Sequence, residues 1–181
     1  MLDYIRDGAE IYARSFATIR AEADLAAIPA DLEKLAVRMI HASGMVDIVA
    51  DVVFSPGAGA IGRQALQQGA PILCDSAMVL KGITRARLPA NNRAALLSDG
   101  VPRDGAIIAI GSDFAVIGEL LESDAEPALI LAFPAGFDGA AGAKAALAGN
   151  DRGLAFVTLR GTRGGTAMAA AAINALAQER E

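Results

Sequence analysis

The stretch "AIIAIGSDFAVIGELLESDAEPALILA", residues 106–132, decides the fold. It opens with a short apolar run (106–110), passes through Gly, Ser and Asp into a helical stretch (113–122), and ends in a second apolar run (127–132). Runs this short and this continuously apolar read as strands buried on both faces. The same alternation extends outward. Further strands are predicted at 48–54, 71–74 and 154–159, and further helices at 60–68, 76–82, 139–148 and 165–178. That pattern predicts an α/β fold, a mainly parallel five-stranded sheet between two helical layers. Ligands on such sheets bind outside the carboxyl ends of the strands. Residues 1–44 differ in style and read as two N-terminal helices, and "SDGVPRDG" (98–105) is the clearest turn-rich link. A length of 181 residues suits one domain, 1–181, with a sizeable core.

Composition narrows the function classes. Apolar residues make up 54% and charged residues 20%, so the chain is globular. A net charge of −5 gives no general attraction to nucleic acid or anionic membranes. Trp is absent and aromatics reach only 4%, which argues against a stacking platform for single strands. The apolar runs, "PALILAFPAGF" (127–137) among the longest, fall short of the roughly 18 residues a membrane helix needs. The start, "MLDYIRDGAE", lacks the apolar core of a signal peptide. Cys74 is the only cysteine, which excludes an internal disulfide or a multi-cysteine metal site. The expectation is a cytoplasmic, metal-free protein.

Four places carry candidate chemistry. In "PADLEKLAVRMIHASG" Asp31 is the candidate N-cap and Gly44 the C-terminal stop of a helix. Leu32, Leu35, Ala36, Met39 and Ser43 share one side, and Lys34, Arg38 and His41 the other. That second side is either a plain solvated face or an anion clamp (Arg38) beside a proton donor (His41, the only histidine). The helix dipole favours a protonated His41 in the last turn. In the preceding helix Ile11, Tyr12, Phe16 and Ile19 share a broad face with Ser15. Ser15 reads first as a hydroxyl bonding back to a carbonyl one turn earlier, and second as a hydroxyl aimed into a pocket. The third place, "VVFSPGAGAIGRQAL", holds Gly57, Gly59 and Gly62 in a G-x-G-x-x-G spacing, with Asp75 after the next strand. It reads either as a dinucleotide fingerprint or as a Pro-led helix start (Pro56) with small residues for close packing. In "LRGTRGGTAMAAAAINALA" a strand enters a Gly-rich turn with Arg160 and Arg163, then a helix with Thr166 near its N-terminus. This is a carboxylate-binding turn or ordinary capping.

Read together, "YIRDGAEIYARSFATIRAEADL", "VRMIHASG", "FSP", "GAPILCDSAMVLKGITRARLPANN", "GAIIAIG", "FPAGFDGAAGAK" and "RGGTAMAAAAINALA" resemble, in this order, the precorrin-8X methylmutase (precorrin isomerase) family of cobalamin biosynthesis. The resemblance covers nearly the whole chain. It implies a three-layer α/β/α homodimer that moves a methyl group from C-11 to C-12 of precorrin-8 to give hydrogenobyrinate, without metal or dissociable cofactor. It implies that His41 is the proton donor and acceptor, and that Ser15 and Arg38 contact the substrate. It also demotes the glycine fingerprint, because relatives commonly lack those glycines. The substrate is a macrocycle ringed by carboxylates, so Arg85, Arg87, Arg160, Arg163 and Thr166 are candidates for the pocket rim. Two stretches depart from the pattern. "NNRAALLSDGVPRDGAIIAIG" runs straight through where relatives carry a helical segment, and "GSDFAVI" replaces "GNAPTAL". Such a deletion at a surface connection leaves the fold intact. Three functions are consistent with these features: an active isomerase, a corrinoid carrier of the same fold without turnover, and a dinucleotide-binding oxidoreductase. The last requires Gly57, Gly59 and Asp75 to line the site.

Overall fold

The computed structural model describes residues 6–178; residues 1–5, part of the stretch read for a signal peptide, lie outside it. Two helices open the chain, α1 (Gly8–Glu22) and α2 (Glu33–Ser43). Asp7 caps α1 by accepting from the Glu10 amide at 2.8 Å. Gly44 ends α2 in the left-handed region at φ 70°, as expected of a C-terminal stop. The sheet elements come next: β1 (Val52–Phe54), α3 (Ala58–Gln67), β2 (Ile72–Cys74), α4 (Ala77–Gly82), β3 (Ala94–Leu96) and β4 (Ile107–Ile110). The chain closes with α5 (Ala115–Glu122), β5 (Leu129–Ala132), α6 (Ala140–Gly149), β6 (Phe156–Leu159) and α7 (Thr166–Leu176).

The strands pair in the order β1-β6-β5-β4-β2-β3, all parallel except β1, which runs antiparallel to β6. The α/β alternation is borne out, and the core follows from it by the two-residue period of strands. Ile107 and Ala109 of β4 face one layer with Leu129 and Leu131 of β5, against α1, α2, α3, α4 and α7. Ile108, Ile110, Ile130 and Ala132 face the other, against α5 and α6. Every residue of β4 and β5 is buried, which is why these strands read as unbroken apolar runs. Cys74, in β2, is buried too. Burial pushes its thiol up to about 12, with the Asp75 carboxylate adding to the shift and Arg85 opposing it.

Three expectations are corrected. The sheet has six strands, not five: β3 is three residues of "AAL", with no β-branched side chain to mark it. The strand expected at 48–54 begins at Val52, because Val46–Asp51 forms a 3₁₀ turn directed by the left-handed Gly44 before it. Asp31 does not cap its own helix, whose N-cap is Leu32. It caps α3, accepting from the Ala60 amide at 3.0 Å while its carbonyl takes Arg63 Nη1 at 2.7 Å.

Candidate active site

α2 is enclosed more fully than an amphipathic reading allows. Leu35 through Ile40 are all buried, Arg38 included, because α1 crosses it on one side and α7 lies along another. Lys34 Nζ donates to the Gln178 carbonyl. Arg38 is 9% exposed, with its guanidinium carbon 5.2 Å from the Phe16 ring centre and Nη2 3.1 Å from Gln178 Oε1. The solvated-face reading of Arg38 therefore fails, for a packing reason that lies outside the helix itself.

His41, one turn on, is exposed and held from α1. Ser15 Oγ lies 2.8 Å from His41 Nδ1, so the hydroxyl is committed to the imidazole rather than to its own helix. Tyr12 and Phe16 flank the ring, each with centroids 5.2 Å away, Phe16 in an edge contact at 70°. A hydroxyl can serve either tautomer of the imidazole. It donates to Nδ1 when the imidazole is neutral with its proton on Nε2, and accepts from Nδ1–H otherwise. In each state Nε2 is left for an outside partner.

Two depressions meet at Tyr12 and Arg38. The larger, about 430 Å³, is lined by Ala9, Tyr12, Phe16, Arg20, Arg38 and Arg87 among others. The smaller, about 260 Å³, is bordered by His41, Ala42, Gly82, Ala170 and Asn174. Asn174, the one polar interruption in an Ala-rich stretch, ties α7 to the end of α4. Its Nδ2 donates to the Gly82 carbonyl at 2.9 Å and its Oδ1 accepts from the Thr84 amide at 2.8 Å.

Of the residues singled out in sequence, Ser15, Arg38 and His41 come together here. The other candidate polar and charged residues, apart from Arg87, do not line either depression. Arg85 Nη2 turns to the Ala94 carbonyl at 3.5 Å, and its neighbour Arg87 borders the groove instead. Arg160 Nη1 lies 3.5 Å from the Ala50 carbonyl. Arg163 is bound by Asp51 at 2.5 Å and Asp47 at 2.7 Å, pairs that raise its pKa and occupy its donors. Thr166 packs its backbone where a side chain on Gly111 would sit, 2.6 Å away. Sequence pattern marks Tyr12 only as part of an apolar face and does not mark Lys144 at all. Lys144 is 1% exposed, donates to the Arg163 carbonyl at 2.6 Å, and has its pKa lowered to about 8 by burial, Asp51 opposing.

The dinucleotide reading is excluded by packing. A side chain on Gly59 would meet the Asp31 carbonyl oxygen at 2.1 Å, and one on Gly62 would meet Leu129 and Leu176 at 2.6 and 2.8 Å. These glycines let α3 approach its neighbours and leave no cradle for a pyrophosphate. Asp75 is spent on the turn after β4, its Oδ2 accepting from Gly111, Ser112 and Asp113 amides and from Ser112 Oγ at 2.7–3.0 Å. That turn lies between β2 and β4, where the strand order reverses and a ligand is expected. The groove opens instead on the outer helical layer.

The helices bring a hydroxyl-held imidazole to the edge of an arginine-bearing groove, an arrangement that suits an anionic ligand. Comparison with known proteins identifies the class: the chain belongs to the precorrin-8X methylmutase family, whose profile matches residues 10–102 and 94–179. It is 55% identical over 208 residues to the precorrin-8X methylmutase of Pseudomonas aeruginosa, covering 100% of both chains. It is 45% identical to that of a Sinorhizobium species, covering 97% of each. The solved precorrin-8X methylmutase of Thermus thermophilus superposes with a TM-score of 0.87 at 28% identity, covering 94% of this chain and 95% of the other. The chain is thus an isomerase of cobalamin biosynthesis.

Proposed function

We propose that this chain, as one domain, carries the methyl group of precorrin-8 from C-11 to C-12, giving hydrogenobyrinate, with His41 as proton donor and acceptor. The observation that carries the reading is the 2.8 Å pair of Ser15 Oγ and His41 Nδ1 at the edge of the arginine-bearing groove. Protonation from Nε2 draws electron density from the conjugated ring and lowers the barrier to methyl migration. The imidazolium gives its Nε2 proton and keeps Nδ1–H, from which Ser15 Oγ accepts throughout, and the proton returns to Nε2 once the methyl has moved. Arg38 and Arg87 meet the peripheral carboxylates, and Tyr12 and Phe16 wall the groove beside the imidazole. The metal-free macrocycle is the substrate we favour, since the relatives at 55% and 45% identity are both called precorrin-8X methylmutases. The active form in this reading is a cytoplasmic homodimer; among the described residues no helix is long and apolar enough to cross a membrane.

The test is an absorbance assay with precorrin-8, read for the hydrogenobyrinate spectrum. Wild type is expected to convert it and His41→Ala to bind without converting, with an unchanged melt because the side chain is exposed. Conversion by His41→Ala at the wild-type rate would sink the assignment. Two observations favour a second reading, a carrier that binds without turnover. The family match breaks into two overlapping stretches, and the alignment with the Pseudomonas relative spans 208 residues against 181 here. Both support a missing segment near residues 93–105. A bound but unchanged spectrum with wild type would establish the carrier.

A further inference from the structure

We propose that Lys144 is a positioning residue: by gripping the Arg163 carbonyl from beneath, it sets the start of α7 against the end of α2, and so the wall that faces His41. The inference rests on the reading of the His41 groove as the working site. Lys144 is the only charged residue of α6, an otherwise Ala, Gly and Leu helix, and its side chain is buried. Its Nζ reaches Arg163 O at 2.6 Å. The Arg163 guanidinium points the other way, to Asp47 and Asp51 in the 3₁₀ turn that succeeds α2. Residue 163 is therefore held twice, at its carbonyl by α6 and at its side chain by the turn leading out of α2.

The backbone just beyond residue 163 has little slack. A side chain on Gly164 would strike the Phe133 carbonyl oxygen at 2.2 Å, and the Gly165 amide donates to that same oxygen at 2.6 Å. α7 begins at the next residue, and its Ala167, Ala170 and Ala171 line the same depression as His41 and Ala42 of α2. Alanines make a wall whose shape depends only on where the helix backbone lies. Asn174 fastens the later part of α7 to the end of α4, so the placement of the alanines nearer the start of the helix rests on the turn. A methionine at 144 would fill the same space and leave the Arg163 carbonyl without a donor inside the protein. Asp51 pairs with Arg163, beside Asp47, and its charge also favours the protonated form of Lys144, so it acts on both cations.

The experiment measures steady-state kinetics with precorrin-8, and affinity for hydrogenobyrinate by absorbance titration, for wild type, Lys144→Met, Asp51→Asn, the double variant and Leu147→Ala. Leu147→Ala unpacks the same helix from its core and leaves the clamp alone, so it reports what loss of stability does by itself. All are assayed well below their melting temperatures. The expected result is at least a tenfold fall in kcat/KM for Lys144→Met and for Asp51→Asn. The double variant should be no worse than either, since both act through residue 163. Leu147→Ala should stay within twofold of wild type. Lys144→Met behaving like Leu147→Ala would overturn the proposal. Should Lys144→Met fail to fold, Asp51→Asn decides alone, and wild-type kinetics from it would overturn the proposal. If wild type does not turn over, the functional reading fails instead, and the same comparison is made on affinity, with a tenfold weakening expected and none overturning.

Discussion

A single hydroxyl does much for the only imidazole in this chain. Ser15→Ala removes the partner of His41 Nδ1 at a half-buried position and leaves no buried donor or acceptor behind it, since the imidazole is exposed, so the loss is expected in turnover rather than stability. We expect kcat to fall by about 10- to 100-fold, the lower end of what a well-held proton-transfer group contributes, with a melt within about 1 kcal/mol of wild type. Steady-state kinetics beside a urea melt would check both; a normal kcat would show that the hydroxyl is a bystander. Lys144 makes a different prediction. Burial lowers its pKa from 10.5 to about 8, Asp51 opposing. Below pH 8 folded and unfolded chains both keep the proton, and the folded state bears the cost of a buried ammonium. Between about 8 and 10.5 only the folded chain has released it, so stability from this group rises with pH. Wild type should gain on the order of 3 kcal/mol relative to Lys144→Met across that window, read as the difference between paired urea melts. Parallel curves would refute it. His41, Arg38 and Ser15 are legible because they sit in recognisable words of sequence. Their meeting is not, since Ser15 and His41 are 26 residues apart and joined only by the crossing of α1 over α2. Lys144 is invisible for a similar reason: nothing in "AAGAKAAL" tells a surface lysine from one whose acceptor is 19 residues away.

At the scale of elements, the glycines of α3 make the sharper statement. Gly59 stands against backbone that cannot move, the Asp31 carbonyl at 2.1 Å, whereas Gly62 faces the ends of flexible leucine side chains. Gly59→Ala is therefore expected to cost about 2–4 kcal/mol and Gly62→Ala about half that or less. Thermal melts of the two variants would check the order, and equal losses would show that the Asp31 turn yields. The strands that read correctly, β2, β4, β5 and β6, are those buried on both faces, where the whole run must be apolar. Those that misread lie at the rims. β1 is an antiparallel edge whose upstream half is a 3₁₀ turn, and β3 is a three-residue edge of small side chains. Edge strands need satisfy only one neighbour, so their sequences carry a weaker mark. Asp31 misleads for a related reason: a capping side chain serves whichever helix start is nearest in space, and here that is α3.

For the whole molecule, the segment we propose to be missing would belong to the connection between β3 and β4. Residues 97–105 pass from β3 to β4 by way of two left-handed glycines, Gly100 and Gly105. Restoring the relatives' segment within this link should leave stability almost unchanged, because lengthening a surface loop costs only about 0.6 kcal/mol per doubling. If that segment covers the groove, KM for precorrin-8 should fall while kcat holds. An unchanged KM would show that the groove as it stands is sufficient.

The sheet also gives the molecule an internal clock. Cys74 lies in β2 between β3 and β4, wholly buried, with a thiol that stays protonated at any ordinary pH. A maleimide cannot reach it until the sheet parts, so the rate of labelling counts how often the parallel half of the domain breathes. A tetrapyrrole that fastens α1, α2 and α7 together over that half should slow the clock, and the slowing would report occupancy with no need to see any chemistry at all.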